Sequence, residues 1–237
     1  MLQVEQGACA PSTLFGGAVV CVHRRQASPS NQLATVQTVE RMCELVLMSR
    51  DGPATRATAA GLGEQSRRPS SISACGSALG RSGESTRSVR RCAAVWWWLR
   101  GIRFVHDQEL LGRLLNLGDE LELLIQPELL FRLDQPFGDC DDFTMAACAL
   151  LLNLGLESEI VTLAADPVEP RRWSHVFAQA VLPCGRRFAL DATPHAEYPG
   201  WVVPAWRINR VQEWALDGSP IETGAYRRVH VRRSRAN

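Results

Sequence analysis

A helix followed by an antiparallel pair of strands is what residues 139–191 encode, and that combination predicts an α+β fold. Three observations carry the prediction. Apolar positions recur at helical spacing after Cys140, residues 173–182 alternate as a strand does, and Pro183, Cys184 and Gly185 form a turn signal that reverses the chain into a second strand.

From the N-terminus, residues 1–33 mix Gly, Pro, Ser and isolated Cys with neither helical nor strand periodicity and read as a poorly ordered leader. Val36, Val39, Met42, Cys43, Val46 and Leu47 then recur at helical spacing, so residues 34–60 read as one amphipathic helix whose periodicity ends near the breaker Asp51, Gly52, Pro53. Residues 61–91 hold eight Ser, six Arg and five Gly with few large apolar groups, which reads as a low-complexity linker. Residues 92–106 predict a helix running into a short extended piece, with Trp96, Trp97 and Trp98 as core plus one exposed ring. The tail, 226–237, reads as a final strand and a solvated Arg-rich end.

The helix that begins after Asp139 has Phe143, Ala146, Ala147, Leu150, Leu151 and Leu154 on one face and Gly155 as its left-handed stop. Asp139 is the candidate N-cap, with Asp141 and Asp142 in the first turn. Cys140 thus occupies the first helical position, where free N–H groups and the helix dipole favour a thiolate while the neighbouring carboxylates oppose one. The alternating strand puts His175, Phe177, Gln179 and Val181 on one face. A three-residue loop with Gly185 at positive φ pairs Leu182 with Arg186 and sets Phe177 opposite Asp191, which makes His175 and Asp191 diagonal neighbours on that face. A two-residue loop would separate them.

Composition excludes several chemistries. All 26 basic residues are Arg, so a Lys nucleophile, Schiff base or phosphate-loop lysine is impossible. A net charge of +1 gives no basis for a nucleic-acid or anionic-membrane partner. The eight Cys form no CxxC pair or disulfide framework; read as reduced thiols, with no signal peptide and no long apolar run, they point to the cytoplasm. No metal is expected either, because the consecutive residues Asp139, Cys140, Asp141 and Asp142 should point around the helix axis rather than converge. His106 and His195 are candidate ligands or acids, and Trp173, Trp201, Trp206 and Trp214 are candidates for a substrate groove. Cys148, two turns after Cys140, should be buried and inert.

Cys, His and Asp in that order, with the nucleophile at a helix start and the base and its orienter on neighbouring strands, suit acyl transfer. The run Gly138, Asp139, Cys140, Asp141, Asp142, Phe143, with Ser174, His175, Val176 and then Leu190, Asp191, Ala192, Thr193, resembles the transglutaminase-like superfamily, in particular its small cysteine-protease-like members of bacteria and tailed phages. The resemblance runs from about Val95 to Trp201. It implies a papain-like, transglutaminase-like α+β core, a helix bearing the nucleophile packed on an antiparallel sheet, within a catalytic domain spanning 92–237. It implies Cys140 as nucleophile, His175 as imidazole and Asp191 as orienting acid, no cofactor, and a peptide or protein amide as substrate. The family's upstream oxyanion donor, a Gln or Trp, has no clear counterpart, with Gln135 and Trp98 the candidates. A non-catalytic phage structural or assembly protein, or a peptide-binding module keeping the fold, is the alternative.

Overall fold

The computed structural model describes residues 20–24, 32–67, 83–107, 109 and 121–222. The elements are β1 (Val20–Arg24), α1 (Gln32–Ser49), α2 (Pro53–Gln65), α3 (Gly83–Leu99), β2 (Arg103–Phe104), β3 (Leu121–Ile125), α4 (Pro127–Leu130), β4 (Phe137–Gly138), α5 (Cys140–Asn153), β5 (Glu157–Ala164), β6 (His175–Val181), β7 (Arg187–Leu190), β8 (Arg210–Trp214) and β9 (Pro220–Ile221). Together they form a mixed α+β fold with an antiparallel sheet in the order β7-β6-β5-β8-β9. Antiparallel β1–β3 and parallel β2–β4 pairs stand apart from it. Among the described residues no helix is long and apolar enough to cross a membrane.

Helix α5 is the centre of the molecule. Every residue from Asp141 to Leu151 is buried, not one face as its periodicity suggests. The positions between its large side chains are small (Ala146, Ala147, Cys148, Ala149), so α1, α2 and α3 close in around it while β5 and β6 cover the rest. Each fully buried Leu, such as Leu150 and Leu151, contributes about 1.5–3 kcal/mol. The C-terminus stops at Gly155, φ +73°, where the Leu156 N–H bonds to the Leu151 carbonyl at 2.9 Å and the Gly155 N–H to that of Leu152 at 3.0 Å. That pair of bonds is the Schellman arrangement glycine permits.

Several elements differ from expectation. The single helix over 34–60 is two, because Gly52 is extended (φ −63°, ψ 140°) and Pro53 starts a new helix; Glu128 of α4 then caps α2 by accepting from the Ala54 and Thr55 N–H groups at 3.1 and 2.9 Å. The linker expected over 61–91 is helical at both described ends. Residues 61–65 finish α2, and 83–91 open α3, with Ser88 and Val89 buried. The Ser and Arg content conceals the stripe Val89, Cys92, Trp96, Leu99, which has helical spacing. Within the expected leader, Val20–Arg24 pairs with Leu121–Ile125. The rest of the leader, residues 68–82 of the linker and the expected tail strand lie outside the described residues. Trp96 is buried, Trp97 exposed and Trp98 half-buried against Phe131.

The hairpin follows its turn chemistry. Val181 pairs with Arg187 and Ala178 with Leu190, the Leu182 N–H bonds to the Arg186 carbonyl at 2.8 Å, and Gly185 has φ +77°. Away from α5, the sheet carries a buried polar network that spans four strands. Arg187 holds Glu159 with two bonds of 2.8 and 3.0 Å, while the Gln179 amide donates to Glu159 at 2.6 Å and to Glu213 at 3.0 Å.

Candidate active site

Cys140 is the first residue of α5, half-buried, and its surroundings are set by carboxylates. Asp139 accepts from the Asp141 N–H at 3.1 Å, and Asp142 reaches back to the Asp139 N–H at 3.2 Å. The other oxygen of Asp142 accepts from the Ile125 N–H at 2.7 Å, which ties the helix start to β3. This return bond depends on Gly138, where a Cβ would lie 2.5 Å from Asp142 Oδ2. Gly138→Ala is therefore expected to displace the Asp142 carboxylate and to destabilise the fold by about 1–3 kcal/mol. Chemical denaturation checks it, and an unshifted midpoint would show that the helix start does not need this close approach.

His175 begins β6 and Asp191 follows the end of β7, so the hairpin register sets the two beside each other. His175 Nε2 lies 2.7 Å from Asp191 Oδ2. Asp191 Oδ1 accepts from the Thr193 N–H at 3.1 Å and its hydroxyl at 2.7 Å. Helix α3 fixes the same segment from behind: the Trp96 indole donates to the Asp191 carbonyl at 2.5 Å and Arg100 to the Thr193 carbonyl at 2.9 Å. Burial opposes ionisation of Asp191, but the His175 charge and hydrogen bond, with the Thr193 bonds, outweigh it and hold the carboxyl below its ordinary value. Burial likewise pulls the imidazole down, and the charge and hydrogen bond of Asp191, with the charge of Asp141, more than reverse it; His175 titrates above its ordinary 6.5. An ionised acceptor on Nε2 requires that nitrogen to carry the proton and leaves Nδ1 as the basic one.

Cys140, His175 and Asp191 all line one cavity of about 710 Å³. Thr35, Thr38 and Met42 of α1 form one wall, and Trp173, Trp201 and Arg207 lie on others. Of the remaining groove candidates, Trp214 is buried in the core and Trp206 is 84% exposed without lining the cavity. His106 and His195, loop residues by sequence, both line it. Gln135 is exposed and Trp98 packs edge-on against Phe131, centroids 5.2 Å apart; neither candidate oxyanion donor lines the cavity that holds Cys140.

In the thiol's electrostatics the influences against a thiolate prevail over the helix position. Burial pushes the Cys140 pKa well above the ordinary thiol value, and the charges of Asp141 and Asp139 push it further; the Val176 N–H works the other way without prevailing. The helix-start N–H that would stabilise a thiolate already serves Asp139, and the first turn carries carboxylates that satisfy the dipole. Together these influences favour the neutral thiol of Cys140 over its thiolate. The carboxylates also converge more than their sequence positions suggest. Donor atoms of Asp139, Cys140 and Asp141, and separately of Asp107, Asp139 and Asp142, lie within 4.8 Å of one another. One oxygen each of Asp107 and Asp142 serves folding: Asp107 Oδ2 accepts from the Leu123 N–H at 2.6 Å, just as Asp142 Oδ1 accepts from Ile125. Cys148 is fully buried, and desolvation raises its pKa to about 12.

No family model and no curated protein matches the chain. Two of the solved structures similar to it are the following, both at low scores. One is described as a "putative protease" from Parabacteroides distasonis ATCC 8503, 11% identical, with a TM-score of 0.44 over 79% of this chain and 30% of that one. The other, a "putative cysteine protease" from Cytophaga hutchinsonii, is 13% identical, with a TM-score of 0.35 over 80% of this chain and 52% of that one. The chain thus spans about a third and about half of the two chains it resembles.

Proposed function

We propose that this protein is a cysteine hydrolase or acyltransferase of papain-like, transglutaminase-like arrangement acting on a peptide or protein amide. The observation that carries the reading is the 2.7 Å contact between His175 and a buried Asp191 at the wall of the cavity that also holds Cys140. In this reading Cys140 attacks the carbonyl carbon as His175 Nδ1 takes its proton. Asp191, 1% exposed against 18% for the imidazole, orients the ring and stabilises the imidazolium without meeting the substrate. The amine then leaves with that proton, and water releases the acyl group. Hydrolysis is favoured over transfer to an amine because water needs no second binding site.

Because the thiol is neutral at rest, deprotonation accompanies attack instead of preceding it. Two outcomes follow at pH 7. An activated ester, p-nitrophenyl acetate, is expected to acylate Cys140, seen as a mass increase confined to that residue and a burst of p-nitrophenolate. Iodoacetamide, which reports the free thiolate, is expected to label Cys140 slowly at pH 7 and to accelerate only at a pH above that at which an ordinary thiol does. Absence of a Cys140-dependent burst would refute the proposal and favour a binding module. Fast alkylation at pH 6 would show instead a preformed thiolate.

A further inference from the structure

Resting on the acyl-transfer reading, we infer that His106 is the catalytic donor that receives the developing oxyanion in this site, in the role for which neither Gln135 nor Trp98 is placed. The inference starts from backbone pairing. Strands β2 and β4 run parallel, with Arg103 opposite Phe137 and Phe104 opposite Gly138, and the Val105 N–H continues the ladder to the Gly138 carbonyl at 2.9 Å. His106 lies two residues beyond Phe104 and Cys140 two residues beyond Gly138, and both line the cavity. Parallel pairing is what makes this possible, because both chains advance toward the cavity together.

The ring is then held from one side by aromatic contacts. Phe104 meets the His106 ring edge-on, centroids 4.9 Å apart, and meets Phe143 of α5 in the same way at 5.8 Å. His106 is thus braced against the helix that bears the nucleophile. His106 is exposed, lines the cavity and makes no side-chain hydrogen bond among the described residues. The adjacent Asp107 is buried and gives an oxygen to the Leu123 N–H, so its carboxylate serves β3. The base position is already filled by His175 with Asp191, and His195 comes from the chain that follows Asp191. His106 comes from the β2–β4 side.

The step balances without a further reactant. The Cys140 sulfur bonds to the carbonyl carbon and its proton passes to His175. The carbonyl π pair moves onto oxygen, which accepts the His106 N–H without taking its proton. When the oxyanion collapses, the C–N bond breaks and the amine leaves with the proton from His175. A donor aimed at the oxyanion assists attack on a carbonyl, whereas displacement on iodoacetamide forms no oxyanion and is indifferent to it.

That difference supplies the test, on the full chain, with His106→Phe (ring kept, donor lost) and His106→Gln (donor kept). His106→Phe is expected to slow acylation of Cys140 by p-nitrophenyl acetate on the order of 10²-fold. Its iodoacetamide rate should stay within about twofold of wild type, and its unfolding midpoint should not move. His106→Gln is expected to recover at least about tenfold of the lost acylation rate, and it tests the same point should the Phe variant fail to fold. Equal slowing with both electrophiles, or unaltered acylation, overturns the assignment to His106 while leaving acyl transfer standing. A wild-type protein with no Cys140-dependent burst overturns both.

Discussion

Replacing Cys140 with Ser is expected to abolish acyl-enzyme formation, by at least about 10³-fold in the burst rate, while the unfolding midpoint stays within about 0.5 kcal/mol of wild type. Burial and the charges of Asp139 and Asp141 already disfavour the thiolate, and an alcohol begins from a far higher pKa, so the same surroundings leave Ser unusable. The fold should not notice, because the Cys140 side chain is half-buried and a Ser hydroxyl can replace the thiol in its contacts to Asp141, 3.9 Å away, and the Val176 N–H. Cys148→Ser provides the converse. Its thiol is fully buried, so a hydroxyl there should destabilise by about 1–3 kcal/mol with no change in acylation. Burst kinetics and denaturation on the two variants separate chemistry from packing. A Cys140→Ser protein acylated within tenfold of wild type would remove this residue from the mechanism.

Asp191→Asn is expected to slow acylation by at least about 10²-fold and to lower the His175 pKa. The sign follows from the opposed influences on the ring. Burial pulls the imidazole down and the Asp191 charge and hydrogen bond pull it up; without that charge, burial meets only the smaller influence of Asp141. In the wild type the basic imidazole is lost as pH falls through a pKa above 6.5, so the acid limb of the rate lies above that value. In the variant the limb moves to lower pH, yet the plateau falls, because the imidazolium formed during attack has lost its countercharge and the Nε2 tautomer is no longer enforced. Proton NMR titration of His175 gives the shift and burst kinetics the rate. A His175 pKa that rises or stays in Asp191→Asn would show that the carboxylate does not govern the ring.

Residues close in sequence to a turn or a cap were readable before any coordinates. The length of the 183–185 loop and the positive φ that Gly185 supplies dictate strand register, and register alone decides that His175 and Asp191 share a face. Asp139, Asp141 and Asp142 announce a helix start, and Gly155 its end, because both signals act within a few residues. The strands β5, β8 and β9 were not readable in the same way. β5 is buried on both faces and so shows no alternation, and its partner β8 lies 46 residues from it at the closest pairing, Ala164 with Arg210. The helix α3 was half concealed for another reason: its solvent face is Ser and Arg, and only packing on α5 shows which residues form the buried stripe.

The sequence by itself determined the α+β class, the helix that presents Cys140 and the hairpin that joins His175 to Asp191, since each follows from local periodicity and turn chemistry. Tertiary structure decided what those groups can do. It added desolvation of the half-buried Cys140 thiol to the opposition of its neighbouring carboxylates, and the two together outweigh a helix dipole already satisfied by its own caps. It also brought His106 to the cavity that holds Cys140 by pairing the two-residue parallel strands β2 and β4, segments more than 30 residues apart that no periodicity can join, since pairing between distant strands is set by the packing of the whole core.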